Sequence, residues 1–498
     1  MDTNAAASNE AMNRARLGAI IKSARDIMRK DAGLNDLDRL PLLSWLLFLR
    51  AFDAMEAERE IIEGSAFRPA IEHAYQWGIW AANEDFTGNA LINFVNGELL
   101  PYLGGLKSDT PGDPRNVLGQ VFESIHNRMA SGYLFRDLVN QIRKIDFTSS
   151  DDIHTIAYLY ESLLKEMRDA AGDSGEFYTP RPVIRFMVEQ SFLEHGESIL
   201  DPACGTGGFL VEALDELTRG QDIGIVQERL LWRNLRGIEK KSLPYLLCMM
   251  NLILHGVAEP QIVHDNALVR MLNEVGPSSK VNVVLTNPPF GGEEENSVAA
   301  RFDKGYQARE TAILFVKAVI DKLKPNGRCS IVLPNRFLFD DRSRKVREDL
   351  LVKCNLHTIV RLPQGVFAPY TQIPVNLLFF ERSVPTKEVW YYQIDPPEGR
   401  KGYAKTRPIR CEEFAECAAW WGGKDRADRA ENHHAWRVPA ADIAAENYNL
   451  DLTHPASADD LAHRPPSELL ADLIATEQEI LSLLTSLQHD LQLSDGHD

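Results

Sequence analysis

From about residue 170 to 395, short apolar, β-rich runs alternate with helical segments, and no other feature restricts the fold of this chain as strongly. Candidate strands fall at 198–200, 237–239, 262–263, 281–285, 329–333, 357–361, 375–380 and 389–392, with helices at 209–217, 243–255 and 311–323 among the intervening segments. Strands separated by helices of this length imply a doubly wound, mainly parallel α/β sheet. Such sheets bind ligands at the carboxyl ends of their strands, where the loops collect. Chemistry is therefore expected at the residues that close each strand.

The first such place is Asp201-Pro202-Ala203-Cys204-Gly205-Thr206-Gly207-Gly208-Phe209, which follows the 198–200 run and opens a helix. Glycines in such a turn let backbone approach a ligand closely, and the helix start offers unpaired N–H groups. Taken alone the turn suits NAD, a phosphate or nothing. It lacks the closing Gly-Lys-Ser/Thr of a phosphate loop, which disfavours ATP hydrolysis. Asp201, at the strand end, suits a cationic ligand group better than a pyrophosphate. Glu239 closes the next strand, roughly 20 or more residues further on, where a carboxylate can accept two vicinal ribose hydroxyls. NAD and S-adenosylmethionine both satisfy that arrangement. Asp265-Asn266 follow a third strand and are candidates for an adenine edge, although an isolated strand-end carboxylate is usually just solvated.

The most telling element is Asn287-Pro288-Pro289-Phe290, directly after the apolar strand ending Leu285-Thr286. Two consecutive prolines stop a sheet and fix a rigid loop. A plain strand terminator would explain the prolines, but not their place after the glycine turn and the acidic residue, in that order. The exocyclic nitrogen of adenine gives its lone pair to the ring and is a poor nucleophile. An Asn side-chain oxygen and a rigidly aimed backbone carbonyl can accept its two N–H groups and favour the pyramidal, attacking form. Phe290 offers a flat surface for a base swung out of the duplex, which chemistry on a paired base requires. Upstream, Gly175-Glu176-Phe177-Tyr178-Thr179-Pro180-Arg181-Pro182 forms a proline-stiffened loop before a helix at 183–190. Beside the glycine turn it is placed to cap the amino-acid end of a cofactor.

Together these segments resemble the modification (M) subunit of type I restriction–modification systems. The resemblance rests on 177–181, 201–209, 250–256, 286–291 and Leu362-Pro363-Gln364-Gly365-Val366-Phe367-Ala368, with Asn447-Tyr448-Asn449-Leu450 similar to the segment that closes the family's catalytic region. It implies a methyltransferase fold with a helical N-terminal domain and a C-terminal helix, and adenine-N6 methylation with S-adenosylmethionine. Under it, Glu176, Phe177, Tyr178, Thr179, Pro180, Arg181, Asp201, Ala203, Gly205, Thr206, Gly207 and Gly208 bind the cofactor. Glu239 holds the ribose, and Asp265 with Asn266 lie near the cofactor adenine. Asn287, Pro288, Pro289 and Phe290 are catalytic, with Phe367 or Tyr370 against the flipped base.

The remaining sequence divides around this centre. Residues 1–165 read as a helical domain: Leu42, Trp45, Leu46 and Leu49 make one apolar stripe, a second helix is expected at 153–167, and Gly and Pro residues mark a loop over 101–114. The catalytic domain spans 166–395, and 396–464 is an irregular extension that closes it. A helix at 465–498, opened by Pro465-Pro466-Ser467, carries imperfect heptads that suit docking on a partner.

The formal charge of −18, from 54 basic and 72 acidic residues, sits badly with a protein that grips DNA alone. The family resemblance accounts for it. Type I modification subunits borrow sequence recognition from a separate specificity (S) subunit, commonly two M per S, and a restriction (R) subunit joins for cleavage. Double-stranded DNA is then the substrate of the complex. The six cysteines, at 204, 248, 329, 354, 411 and 417, show neither Cys-x-x-Cys nor zinc-ligand spacing, so no metal site is expected. Reduced thiols and the lack of a ~20-residue apolar run point to a cytoplasmic protein without a membrane span. The alternatives are cytosine-N4 methylation, a non-catalytic cofactor-binding scaffold in a defence complex, and a nicotinamide-dependent oxidoreductase that leaves 287–290 unexplained.

Overall fold

The computed structural model describes residues 3–110, 113–123, 125–147, 179–220, 224–257, 259–306, 308–368, 371–397, 399–400, 402–404, 406–455, 477–478 and 481. The helix expected at 153–167, the boundary at 165, Glu176-Phe177-Tyr178, Tyr370 and nearly all of the helix expected at 465–498 lie outside them.

Nine strands among the described residues form one sheet: β1 Ile199–Asp201, β2 Leu235–Glu239, β3 Gln261–His264, β4 Val281–Thr286, β5 Leu323–Pro334, β6 Asn355–Arg361, β7 Val375–Glu381, β8 Glu388–Gln393 and β9 Ala435–Pro439. Their order is β3-β2-β1-β4-β5-β7-β6-β8-β9. The first five are mutually parallel, as the alternation with helices requires. β7 instead runs antiparallel to both β5 and β6. A parallel return needs a long crossover, usually a helix, and residues 362–374 contain none among those described, so the chain simply reverses.

Side chains along the strands alternate between two cores. Ile199, Val283, Leu285, Leu377 and Phe379 face one; Leu200, Val284, Leu378 and Phe380 face the other. The first core continues into the N-terminal helices Thr3–Arg29 and Asp36–Glu63. The stripe Leu42, Trp45, Leu46 and Leu49 is fully buried there, and Trp45 packs on the rings of Phe122 and Phe135. Helix Ser242–Leu254 lies between the sheet edge at β2 and β3 and this helical layer, and every residue from Pro244 to Leu254 is buried. A helix covered on both sides has no use for a polar face, which explains its all-round apolar sequence.

Two details differ from the sequence expectation. The loop over 101–114 begins only at Gly105, because Pro101 is taken into helix Leu100–Gly104, which continues directly from the π-helical turn Val95–Leu99. The extension at 396–464 is less irregular than expected, since it supplies β9, paired antiparallel with β8. An edge strand of five residues, with Arg437 exposed and Pro439 at its end, carries no alternating signature. Further along, the 447–450 segment is tied to the sheet body: Leu450 N donates to Leu338 O at 2.8 Å and Arg347 Nε to Tyr448 O at 2.6 Å.

β1 has β2 and β3 on one side and β4 and β5 on the other, so the strand order switches beside it. The loops leaving β1 and β4 diverge at that point and open a crevice at their carboxyl ends. No helix among the described residues is long and apolar enough to cross a membrane.

Candidate active site

The crevice floor is the glycine turn between β1 and helix Gly208–Thr218. Gly205 and Gly207 adopt φ of 53° and 82°, the left-handed region that a Cβ disfavours. At Gly207 an added Cβ would also lie 2.9 Å from Cys248 Sγ. The turn is held from below: Asn251, fully buried in helix Ser242–Leu254, donates through Nδ2 to Thr206 O at 2.9 Å. From the side, Arg181 Nη1 donates to Gly208 O at 2.9 Å. Arg181 opens helix Arg181–Glu189, for which Pro180 is the N-cap residue.

Two carboxylates close the strands on this floor. Asp201 is 1% exposed and accepts from Thr286 Oγ1 at 2.8 Å and from Ala203 N at 3.1 Å. Burial outweighs those bonds and pushes its pKa up to about 7, with the charge of Glu239 adding a smaller push. Glu239 ties the turn to β2, accepting from Gly205 N at 2.9 Å and from Lys241 N at 2.8 Å. Burial raises its pKa as well.

The roof is the 287–290 loop leaving β4. Asn287 donates through Nδ2 to Thr179 Oγ1 at 2.9 Å, while its Oδ1 is buried with no hydrogen-bond partner among the described residues. Pro288 is buried, and the proline pair ends β4 because neither ring nitrogen can donate to a ladder. Phe290 is half-buried against the edge of Phe367, ring centroids 6.0 Å apart at 66°. Beyond Gly291 the chain is pinned to helix Thr311–Lys322, with Thr311 N and Oγ1 both donating to Gly292 O. An ion pair of 2.9 Å between Lys240 and Glu294 crosses the crevice between its two sides.

Between floor and roof lies a cavity of about 200 Å³ lined by Glu239, Lys240, Asn266, Asn287 and Pro289 among others. It adjoins a narrower space of about 20 Å³ bounded by Thr179, Arg181, Asp201, Thr206 and Gly208, and Ala203, Gly205 and Asn287 line both. One elongated cleft thus runs from the 179–181 segment to the end of β2. Asp265 lies outside this lining: it is exposed, and its Oδ1 accepts from Asn266 N. Asn266 reaches the cavity but spends its side-chain oxygen capping helix Ala267–Asn273. Phe290 and Phe367 contact each other, and neither is among the residues lining the two cavities. Thr286 and Asn251 escaped the sequence reading as site residues. A lone Asn inside the apolar run 243–254 was the available signal for the second.

The family model described as N-6 DNA Methylase matches residues 151–464. The chain is 45% identical to the Type I restriction enzyme EcoEI methylase subunit of Escherichia coli, over 95% of this chain and 97% of that protein. Among solved structures it is similar to a modification subunit assigned to a type I restriction enzyme from Vibrio vulnificus YJ016, with 49% identity and a TM-score of 0.81, covering 90% of this chain and 99% of the other. A second solved chain, from a study of complex assembly and conformational transition in the type I R-M system, is 37% identical with a TM-score of 0.79, covering 96% of this chain and 99% of that one.

Proposed function

The chain belongs to the N-6 DNA methylase family, and on that premise we propose that Asn287-Pro288-Pro289-Phe290 holds and activates the target adenine while the ends of β1 and β2 hold S-adenosylmethionine. The protein is the S-adenosylmethionine-dependent adenine-N6 DNA methyltransferase subunit of a type I restriction–modification complex.

The cleft fits this cofactor on its own chemistry. Gly205 and Gly207 leave room for backbone to approach a ligand, and Glu239 offers carboxylate oxygens for a ribose at the cavity of about 200 Å³. Asp201, a carboxyl that an ammonium would ionise, and the cationic Arg181 border the narrower end, as an amino acid's ammonium and carboxylate would require. When bound, S-adenosylmethionine supplies an electrophilic methyl group on a sulfonium. The protein's part is to aim the acceptor. Asn287 Oδ1 and the Pro288 carbonyl accept the two N–H groups of the adenine N6, which directs its lone pair out of the ring plane. Phe290 stacks the extruded base. No strong base is needed beforehand, because the proton leaves the nitrogen after it has become cationic.

The observation that carries this reading is the buried Asn287 Oδ1, without a partner among the described residues, at the junction of the two cavities. A buried acceptor left open costs about 1–3 kcal/mol, so its retention at a ligand-facing position argues for a ligand that donates. Mass analysis of nucleosides from DNA methylated by the assembled complex should show N6-methyladenine, and Asn287→Ala should abolish it. N4-methylcytosine alone, or unchanged methylation by the variant, would overturn the assignment.

The charge of −18 supports dependence on a specificity subunit. Membership of the family adds the rest of the proposed assembly: two modification subunits to one specificity subunit, double-stranded DNA bound by the complex, and a restriction subunit joining for cleavage. We assign 465–498 to contact with the specificity subunit. Six free cysteines agree with a reducing, cytoplasmic setting. The isolated chain is expected to bind DNA weakly; robust site-specific methylation by it alone would contradict this.

A further inference from the structure

We infer that Thr179 is the positioning residue of the catalytic amide, an inference that rests on the role proposed above for Asn287. A primary amide has two hydrogen-bonding ends, and only the oxygen can accept an N–H of adenine. A partner on the nitrogen holds the amide with its oxygen free to accept. Thr179 Oγ1 holds Asn287 Nδ2 at 2.9 Å, which leaves Oδ1 as the end that is buried and open. Other polar side chains nearby are committed elsewhere: Thr286 Oγ1 donates to Asp201, and Thr311 Oγ1 donates to Gly292 O.

The same segment also touches the cofactor floor. Two residues after Thr179, Arg181 donates to Gly208 O, and both side chains border the narrow end of the cleft together with Asp201. Residues 179–181 thus bridge the glycine turn and the roof loop, which are 79 or more residues apart in sequence along β1 to β4 by 208 and 287. The hydroxyl of Thr179, rather than its backbone, is what the inference assigns, so its effect is read in the chemical step.

The test uses the complete modification–specificity complex and a duplex carrying 2-aminopurine at the target adenine for a parallel base-extrusion signal. Thr179→Val keeps size and removes the hydroxyl; Thr179→Ser restores it. Thr179→Val should lower kcat by about 10- to 100-fold, the scale of a misaimed reacting group, with the 2-aminopurine signal unchanged within about threefold. Thr179→Ser should recover most of kcat. A rise in KM alone, or a serine variant as impaired as valine, overturns the inference. Asn287→Ala serves as the separating control. If it is inactive while Thr179→Val retains full kcat, the role of Asn287 stands and that of Thr179 falls; if Asn287→Ala is active, the role of Asn287 itself fails.

Discussion

Two parts of this sheet bury polar groups equally deeply and treat them in opposite ways. At the far carboxyl end, near β5 and β6, Arg347 is 1% exposed yet donates to the carbonyls of Phe337, Asp340 and Tyr448 and to the Ser343 hydroxyl. Beside it Arg361 pairs with Asp451, which also accepts from Asn335, and Asn335 accepts in turn from Asn376. Charge is buried there, but each named group has partners. In the cleft beside β1, Asn287 Oδ1 has none among the described residues, and Asp201 is buried deeply enough to sit near neutrality. The difference separates groups that hold the fold from groups kept ready for a ligand.

The largest effect that tests this contrast is on catalysis. Asn287→Ala should lower methylation by the complex about 100- to 1,000-fold, as loss of a transition-state acceptor does, while the melting temperature of the protein barely moves. A large loss of stability would place Asn287 with the structural cluster instead. The mirror experiment is Arg347→Met. It leaves several buried carbonyls without donors and should destabilise the fold by roughly 3 kcal/mol, read by denaturant unfolding, with activity per folded molecule retained. Gly207→Ala falls between the two classes. Its φ of 82° and the 2.9 Å approach to Cys248 predict a loss of about 1–2 kcal/mol, divided between thermal stability and cofactor affinity measured by calorimetry.

The same contrast explains what was legible in the sequence. All eight strands expected from the apolar runs are present, and Asp201, Glu239 and Asn287 close β1, β2 or follow β4 as their positions implied. These are local signals, fixed by period and by the residue that ends a strand. The antiparallel turn of β7 depends on what its connection lacks, and β9 is specified by pairing with β8 rather than by its own five residues. Thr179 and Asn287 meet across 108 positions, and Thr286 meets Asp201 across 85, so no spacing could reveal either pair. Asn266 carries a second signal that the sequence reading passed over. Placed just before Ala267-Leu268-Val269, it reads as a helix cap, and capping is where its oxygen is used.

The smallest predicted effect is also the most specific to Asp201. Its carboxyl titrates near 7 in the fold, against about 3.9 when solvated. A raised acid pKa means the native state holds a proton that the unfolded chain has lost between those values. Asp201 therefore stabilises the fold most fully below about pH 4, and this contribution is lost as pH rises through 7. A cationic ligand group at the narrow end of the cleft reverses the preference, because it favours the ionised form and pulls the pKa down. Binding S-adenosylmethionine should then release about half a proton near pH 7, and less at pH 8.5, where Asp201 is already ionised. Calorimetry in two buffers of different ionisation enthalpy measures this directly, as a buffer-dependent binding heat. Asp201→Asn should remove the buffer dependence and flatten the stability profile between pH 4 and 7. A variant that still releases the proton would move the ionisable group elsewhere, with Glu239, whose pKa is also raised by burial, the next to replace.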